Sequence, residues 1–222
     1  MRKILEMSAA PEPAGILCHI LKKGYRFHIV LLPVNNALIS LYEVRLMYYG
    51  TIKKSDVADG PGVRVSLFVS GCRHRCEGCF NPATWDFKYG NVYTAEVEAE
   101  LLEAVAPPYI AGFTFLGGEP LEPENRPFVF SLARKLREKY PEKTIWLYSG
   151  YTFETDILKW GETDEMVMNL LSLIDVLVDG EFHIKEKSLM LKFRGSSNQR
   201  LIDVQRSLAE GKTVLCDEDN LR

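Results

Sequence analysis

Val63-Arg64-Val65-Ser66-Leu67-Phe68-Val69-Ser70-Gly71-Cys72-Arg73-His74-Arg75-Cys76-Glu77-Gly78-Cys79-Phe80 joins a strand to a cysteine loop. Val63, Val65, Leu67 and Val69 alternate with Arg64, Ser66 and Phe68, the period of two expected of a strand. The loop spaces its thiols as Cys-x3-Cys-x2-Cys, with no fourth cysteine nearby. Thiolates suit zinc and iron–sulfur clusters alike, so ligand type alone does not choose between them. Structural zinc wants four closed ligands, commonly as paired Cys-x2-Cys knuckles. The second pair is missing here, and His74, two residues from Cys72 and two from Cys76, is awkwardly strained as a fourth ligand to the same ion. A cubane on three thiolates instead leaves one iron without a protein ligand, able to chelate a small molecule. An electron-transfer ferredoxin would close that position with a fourth cysteine.

Outward from this loop, short apolar runs alternate with helical stretches from about Met47 onward. Thr94 stands as N-cap of a helix in which Val97, Leu101 and Val105 recur every four residues. Residues 113–116 read as a strand ending in Gly117-Gly118. Phe128, Leu132 and Leu136 mark one face of the next helix, which Pro141 helps to terminate. Residues 144–148 read as a buried strand closed by Ser149-Gly150, residues 166–173 as a helix, and residues 174–178 as a strand ending in Asp179-Gly180. This βαβα order predicts a parallel sheet with helices outside. There are too few units for eight strands, so the expected α/β fold is a partial (β/α) barrel or an open curved sheet. The cysteine loop, residues 117–119, Ser149-Gly150 and Asp179-Gly180 all follow strands and so share the carboxyl edge, where ligands bind.

The 222 residues suffice for one domain with a sizeable core, and 46% apolar with 26% charged residues is an ordinary globular composition. A net charge of -3 gives no general pull toward nucleic acid or an anionic membrane. Five cysteines, three of them within residues 72–79, argue against a secreted disulfide framework and for a metal in a reducing, cytoplasmic setting. Cys18 and Cys216 read as isolated thiols. Met1-Arg2-Lys3 hints at a signal peptide, but Glu6, Pro11, Glu12 and Pro13 break the apolar run early. The 16-residue run from Phe27 to Tyr42 contains Pro33, Asn35 and Asn36, too short and polar for a membrane span. Residues 1–46 therefore read as an extension outside the fold, residues 47–208 as the working domain and 209–222 as a tail. The functional alternative for the extension is a docking segment, supported by Lys22, Lys23 and Arg26.

These motifs carry a family resemblance. The three-cysteine spacing is similar to that of the radical S-adenosylmethionine (SAM) superfamily, in which the open iron binds the amino and carboxylate groups of SAM. Gly117-Gly118-Glu119-Pro120 resembles the superfamily's glycine-rich segment, which hydrogen-bonds the SAM ammonium. Asp59-Gly60-Pro61-Gly62-Val63-Arg64, the cysteine loop and Asn81-Pro82-Ala83-Thr84-Trp85 together resemble the glycyl-radical activating enzymes. Within that group, Gly78, the Phe-Asn-x-x-Thr-Trp string, residues 176–182 and Phe193-Arg194-Gly195-Ser196-Ser197-Asn198-Gln199-Arg200 resemble the activating family of anaerobic (class III) ribonucleoside-triphosphate reductase. The resemblance spans approximately Met47 to Leu208.

What it implies is a [4Fe–4S] cluster on Cys72, Cys76 and Cys79, with SAM held by Gly78, Cys79, Phe80, Gly117, Gly118 and Glu119. Reductive cleavage of SAM would yield a 5′-deoxyadenosyl radical that takes a Cα hydrogen from a glycine of the reductase, with flavodoxin or ferredoxin as electron donor. An activase of the pyruvate formate-lyase type and a small-molecule radical SAM enzyme are the neighbouring alternatives; a non-catalytic zinc or iron–sulfur module is the more distant one. Two positions depart from the superfamily. Many members carry an aromatic residue covering the adenine where Gly78 stands, a task left here to Phe80 or backbone, and Leu116 replaces a residue that is often small and polar.

Other residues read two ways. Arg73, His74 and Arg75 are exposed loop residues or a positive patch for an acidic electron donor. Arg64 is a structural strand residue or a holder of the SAM carboxylate or the partner backbone. Arg194 and Asn198 order a turn or contact SAM or the incoming glycyl loop. Asp175 and Asp179 bond local backbone at a strand end, and His183 is structural.

Overall fold

The computed structural model describes the backbone of residues 16–22, 25–34 and 37–44, and residues 46–221 in full. The chain divides into two units. In the first, β1 (Ile16–Lys22), β2 (Tyr25–Val34) and β3 (Ala37–Val44) pair antiparallel in chain order. The ladders end with Lys22 opposite Tyr25 and Val34 opposite Ala37. The sequence reading finds no strand–helix pattern here; a meander needs none, only short connections between paired strands. Residues 27–34 and 37–42 of the apolar run belong to β2 and β3, and among the described residues no helix is long and apolar enough to cross a membrane.

The second unit is built on a seven-stranded sheet: β4 (Tyr48–Asp56), β5 (Val63–Val69), β6 (Asn91–Val92), β7 (Ile110–Gly117), β8 (Thr144–Tyr148), β9 (Val176–Asp179) and β10 (Arg200–Asp203). The strand order is β10-β9-β8-β7-β5-β4-β6. The ladders β5–β7, β7–β8 and β8–β9 are parallel. Antiparallel ladders join β4 to β5, β4 to β6 and β9 to β10. The outer strands β6 and β10 do not meet, so the sheet is open. The expectation of a barrel fragment therefore reduces to a mixed α/β sheet that is parallel in its middle.

Helices α1 (Ala95–Val105), α2 (Arg126–Lys139), α3 (Leu158–Gly161), α4 (Glu165–Leu171) and α5 (Val204–Glu210) complete the unit. Strand periodicity sorts the sheet's side chains. Val65, Leu67, Phe113, Phe115, Ile145 and Leu147 pack with Leu101, Leu132 and Leu170 of the helices in the main core. Trp146, Val176, Val178 and Leu201 form a second cluster with Tyr148 and Phe193. β5 is buried along nearly its whole length, Arg64, Ser66 and Phe68 included, because β4 and β7 flank it and the opposite face is also covered.

Candidate iron–sulfur site

The cysteine loop leaves the carboxyl end of β5 and lies on a short 3-10 turn, Pro82–Trp85. Gly71 N donates to Thr84 O at 2.8 Å and Cys72 N to Trp85 O at 3.2 Å. Gly71 adopts φ +100, and the Phe87 ring occupies the space of any Cβ. Further on, Cys79 N donates to Cys76 O at 3.2 Å, and Asn81 N donates to Cys79 Sγ at 3.4 Å. All three thiols line one cavity of about 460 Å³. Burial pushes the Cys72 thiol up to about 12 and raises that of Cys76 as well.

The other strand ends converge on the same cavity. Gly117, Gly118 and Glu119 line it after β7, Ser149 and Gly150 after β8, and Gly180 after β9. The shared carboxyl edge expected from the sequence is therefore present. At Gly117, φ is +106 and a Cβ would stand 2.6 Å from the Phe68 backbone; at Gly118 it would stand 2.7 Å from Gly71 O. The glycines thus let the turn press against the root of the cysteine loop. Asn125 ties the two together, its Nδ2 donating to Ser70 O at 3.0 Å and Glu119 O at 2.9 Å.

Glu119 is the hub. Its side chain is 1% exposed. Oε1 accepts from Leu121 N at 2.8 Å and Ser149 Oγ at 3.0 Å, and Oε2 accepts from Gly150 N at 2.7 Å. His74 Nε2 stands 3.4 Å from Oε2, and His74 Nδ1 meets Glu181 Oε1 at 2.7 Å. Burial works against a charged His74, but these two carboxylates overcome it and push its pKa up to about 9. The ring also packs edge-on against Tyr151 at 4.3 Å.

The thiols test the fit of a cluster. Among the described residues no three His, Cys, Asp or Glu side chains gather tightly enough for a single metal ion. Three thiols instead flank a cavity of about 460 Å³, within the usual range for small-ligand sites. The N–H donated to Cys79 Sγ is the kind of contact that supports a ligating thiolate. Three soft thiol donors lining one cavity are a donor set that suits an iron–sulfur cluster.

Comparison with known proteins agrees. The family described as a 4Fe-4S single cluster domain matches residues 58–202. The anaerobic ribonucleoside-triphosphate reductase-activating protein of Enterobacteria phage T4 is 41% identical over 157 residues, 70% of this chain and 93% of that protein. Its counterparts in Vibrio cholerae and Escherichia coli K12 are 39% and 38% identical over 155 residues, 69% of this chain and 96% of each protein. The chain belongs to this activating family.

Several residues expected at the family's site sit elsewhere or act otherwise. Arg64, read either as a strand residue or as a ligand holder, lies at the amino end of β5 and is not among the cavity's lining residues; its guanidinium bonds Thr114, Thr144, Phe113 and Pro61. Of the loop residues read as exposed, Arg73 and Arg75 are so, whereas His74 is not. Arg73 is bound by Glu122 and Glu124, and His74 is nearly buried between Glu119 and Glu181. Phe80 is exposed at the rim and meets Phe182 at 5.1 Å. Beside Gly78, whose φ is +73, Ile184 fills the space that a side chain would take. Arg194 lines the cavity and pairs with Glu218 at 2.7 Å, while Asn198 Nδ2 donates to Glu181 O at 2.8 Å. Both keep one buried polar atom unbonded, Arg194 Nε and Asn198 Oδ1. Asp175 accepts from Ile145 N and Arg137, and Asp179 from Phe153 N and Arg200. Cys216 is a part-buried thiol outside the cavity, and the side chain of Cys18 lies outside the described residues.

The sequence reading gives no cavity role to Tyr148, Phe182 or Phe193, which wall it, although Phe182 and Phe193 stand in the strings that carry the family resemblance. Tyr148 is readable as the last residue of a strand that ends at the mouth. Phe193 adopts φ 55, which no local motif announces.

Proposed function

We propose that the chain activates anaerobic ribonucleoside-triphosphate reductase by installing a glycyl radical on it. The observation that carries this reading is the convergence of Cys72, Cys76, Cys79 and the Gly117-Gly118-Glu119 turn on one cavity, in a chain similar along most of its second unit to reductase-activating proteins. Cys72, Cys76 and Cys79 would hold the [4Fe–4S] cluster. When bound, that cluster supplies the electron that cleaves SAM to methionine and a 5′-deoxyadenosyl radical, which takes a Cα hydrogen from a glycine of the reductase.

The protein's own part is positioning. The Glu119 carboxylate is already committed to Leu121, Ser149 and Gly150, so the SAM ammonium would be met by backbone carbonyls of the Gly117-Gly118 turn. Glu119 then acts by holding the strand ends together, and His74 by pinning the cysteine loop to two of them. Phe68, Leu116 and Phe182 supply apolar walls that exclude water from a reactive radical. Arg194 Nε, buried and unbonded, suits a carboxylate or peptide carbonyl. On this reading residues 47–208 are a radical SAM domain related to a (β/α) barrel, working in the cytoplasm with flavodoxin or ferredoxin as electron donor.

The test mixes the anaerobically reconstituted, reduced protein with SAM and its reductase. A doublet glycyl-radical signal in electron paramagnetic resonance is expected on the reductase. SAM cleavage without that signal would leave a radical SAM enzyme of another substrate class.

A further inference from the structure

Residues 187–196 form a short hairpin at the cavity's rim. Lys187 and Ser196 bridge antiparallel, and Ser188 N donates to Gly195 O at 3.2 Å. Its root is fixed: Tyr148 Oη donates to Phe193 O at 2.8 Å, and the Phe193 ring meets Trp146 edge-on at 5.6 Å. Leu191, Phe193 and Arg194 of this hairpin line the cavity.

The tip has the opposite character. Leu189 and Met190 are 89% and 90% exposed. A lone exposed apolar residue needs no account, but two adjacent ones on the rim of a working cavity form a candidate contact surface. Phe80, also exposed, stands on the rim, and Lys187 lies over its ring at 5.0 Å.

We propose that Leu189 and Met190 are the docking ridge for the reductase, catching an apolar segment beside its glycine-bearing loop. This rests on the function proposed above. The occupant follows from continuity: the hairpin that presents the ridge also lines the cavity, so a polypeptide entering over this rim runs across the tip. A held root means that little backbone order is lost on docking, and methionine adapts its shape to a partner.

The double variant Leu189→Ser/Met190→Ser, made in the full chain, tests this. Both side chains are solvent-exposed, so the fold is expected to be retained, with circular dichroism as the check. Affinity for the reductase, titrated without oxygen, should fall about tenfold or more. Reductase-independent SAM cleavage under dithionite should stay unchanged. Unchanged affinity overturns the ridge. Unchanged affinity with a shift in the protein's own solution mass makes the tip a self-association face, which also overturns it. If the wild-type protein neither binds nor activates the reductase, the functional reading itself fails and the ridge falls with it.

Discussion

Arg64→Lys separates a structural brace from a ligand. The wild-type side chain is wholly buried, and its guanidinium donates to Thr114 Oγ1 at 2.8 Å, Thr144 Oγ1 at 2.9 Å, Phe113 O at 2.9 Å, Thr144 O at 3.0 Å and, more distantly, Pro61 O at 3.4 Å. These bonds stitch β5 to β7 and β8. Burial lowers its pKa to about 10, leaving it charged at neutral pH. An ammonium keeps the charge but cannot fork, and reaches about two of these acceptors. Losing two or three bonds from a charged donor, at roughly 1.5 kcal/mol each, takes about 3–5 kcal/mol from the fold. That is a large part of the ~5–15 kcal/mol that holds a typical domain, and corresponds to a midpoint lower by about 10 °C. Thermal and urea unfolding of the cluster-free protein measures the loss. SAM cleavage per folded, reconstituted molecule should match wild type. A variant of wild-type stability with a tenfold higher KM for SAM would refute the brace and restore Arg64 to the site.

Changing any of Cys72, Cys76 or Cys79 to Ala should abolish cluster retention and SAM cleavage, whereas Cys216→Ala should keep both, as read by iron and sulfide analysis; full activity in Cys76→Ala would be fatal to the ligand set. Asp59 responds to pH. Burial first, then the adjacent Asp56 carboxylate, pushes its pKa up to about 7 from 3.8. The folded state therefore holds a proton that the unfolded state has released, and Asp59's contribution to stability falls as pH rises from about 4 to 7. Asp59→Asn should flatten that decline in urea midpoints, and an unaltered slope would count against it. Gly117→Ala should destabilise more than Gly78→Ala. Both glycines have positive φ, but the first Cβ would meet the Phe68 backbone and the second the movable tip of Ile184. Equal urea midpoints for the two variants would contradict this.

Much of the site was legible because chemistry there depends on adjacency in sequence. Three thiols in eight residues and glycines at strand ends announce a cavity before any coordinates, and β5 and β8 match the segments read from their apolar residues. Long-range pairing was not legible. The periodicity of β5 correctly separates the helix-facing residues Val65, Leu67 and Val69 from Arg64, Ser66 and Phe68, but cannot show that the second set is buried too. Arg64 reads two ways in one dimension, as a strand residue or as a ligand holder. Only Thr114 and Thr144, 50 and 80 residues away, reveal it as a brace. Likewise Glu119 reads as a ligand from its motif, and only Ser149 and Gly150 show its carboxylate to be occupied.

An open sheet has two edges, and unpaired backbone at an edge invites a neighbour's strand. The two edges here are guarded differently. Beside β10, Ile202 bridges Leu215, Asp203 N donates to Val214 O and Cys216 N to Leu201 O, so the chain after α5 occupies that side. At the other edge the two residues of β6 pair with Tyr48 and Tyr49 alone, and further along β4 stand the exposed Lys53 and Lys54. Charged side chains on an edge strand discourage a foreign strand from adding there.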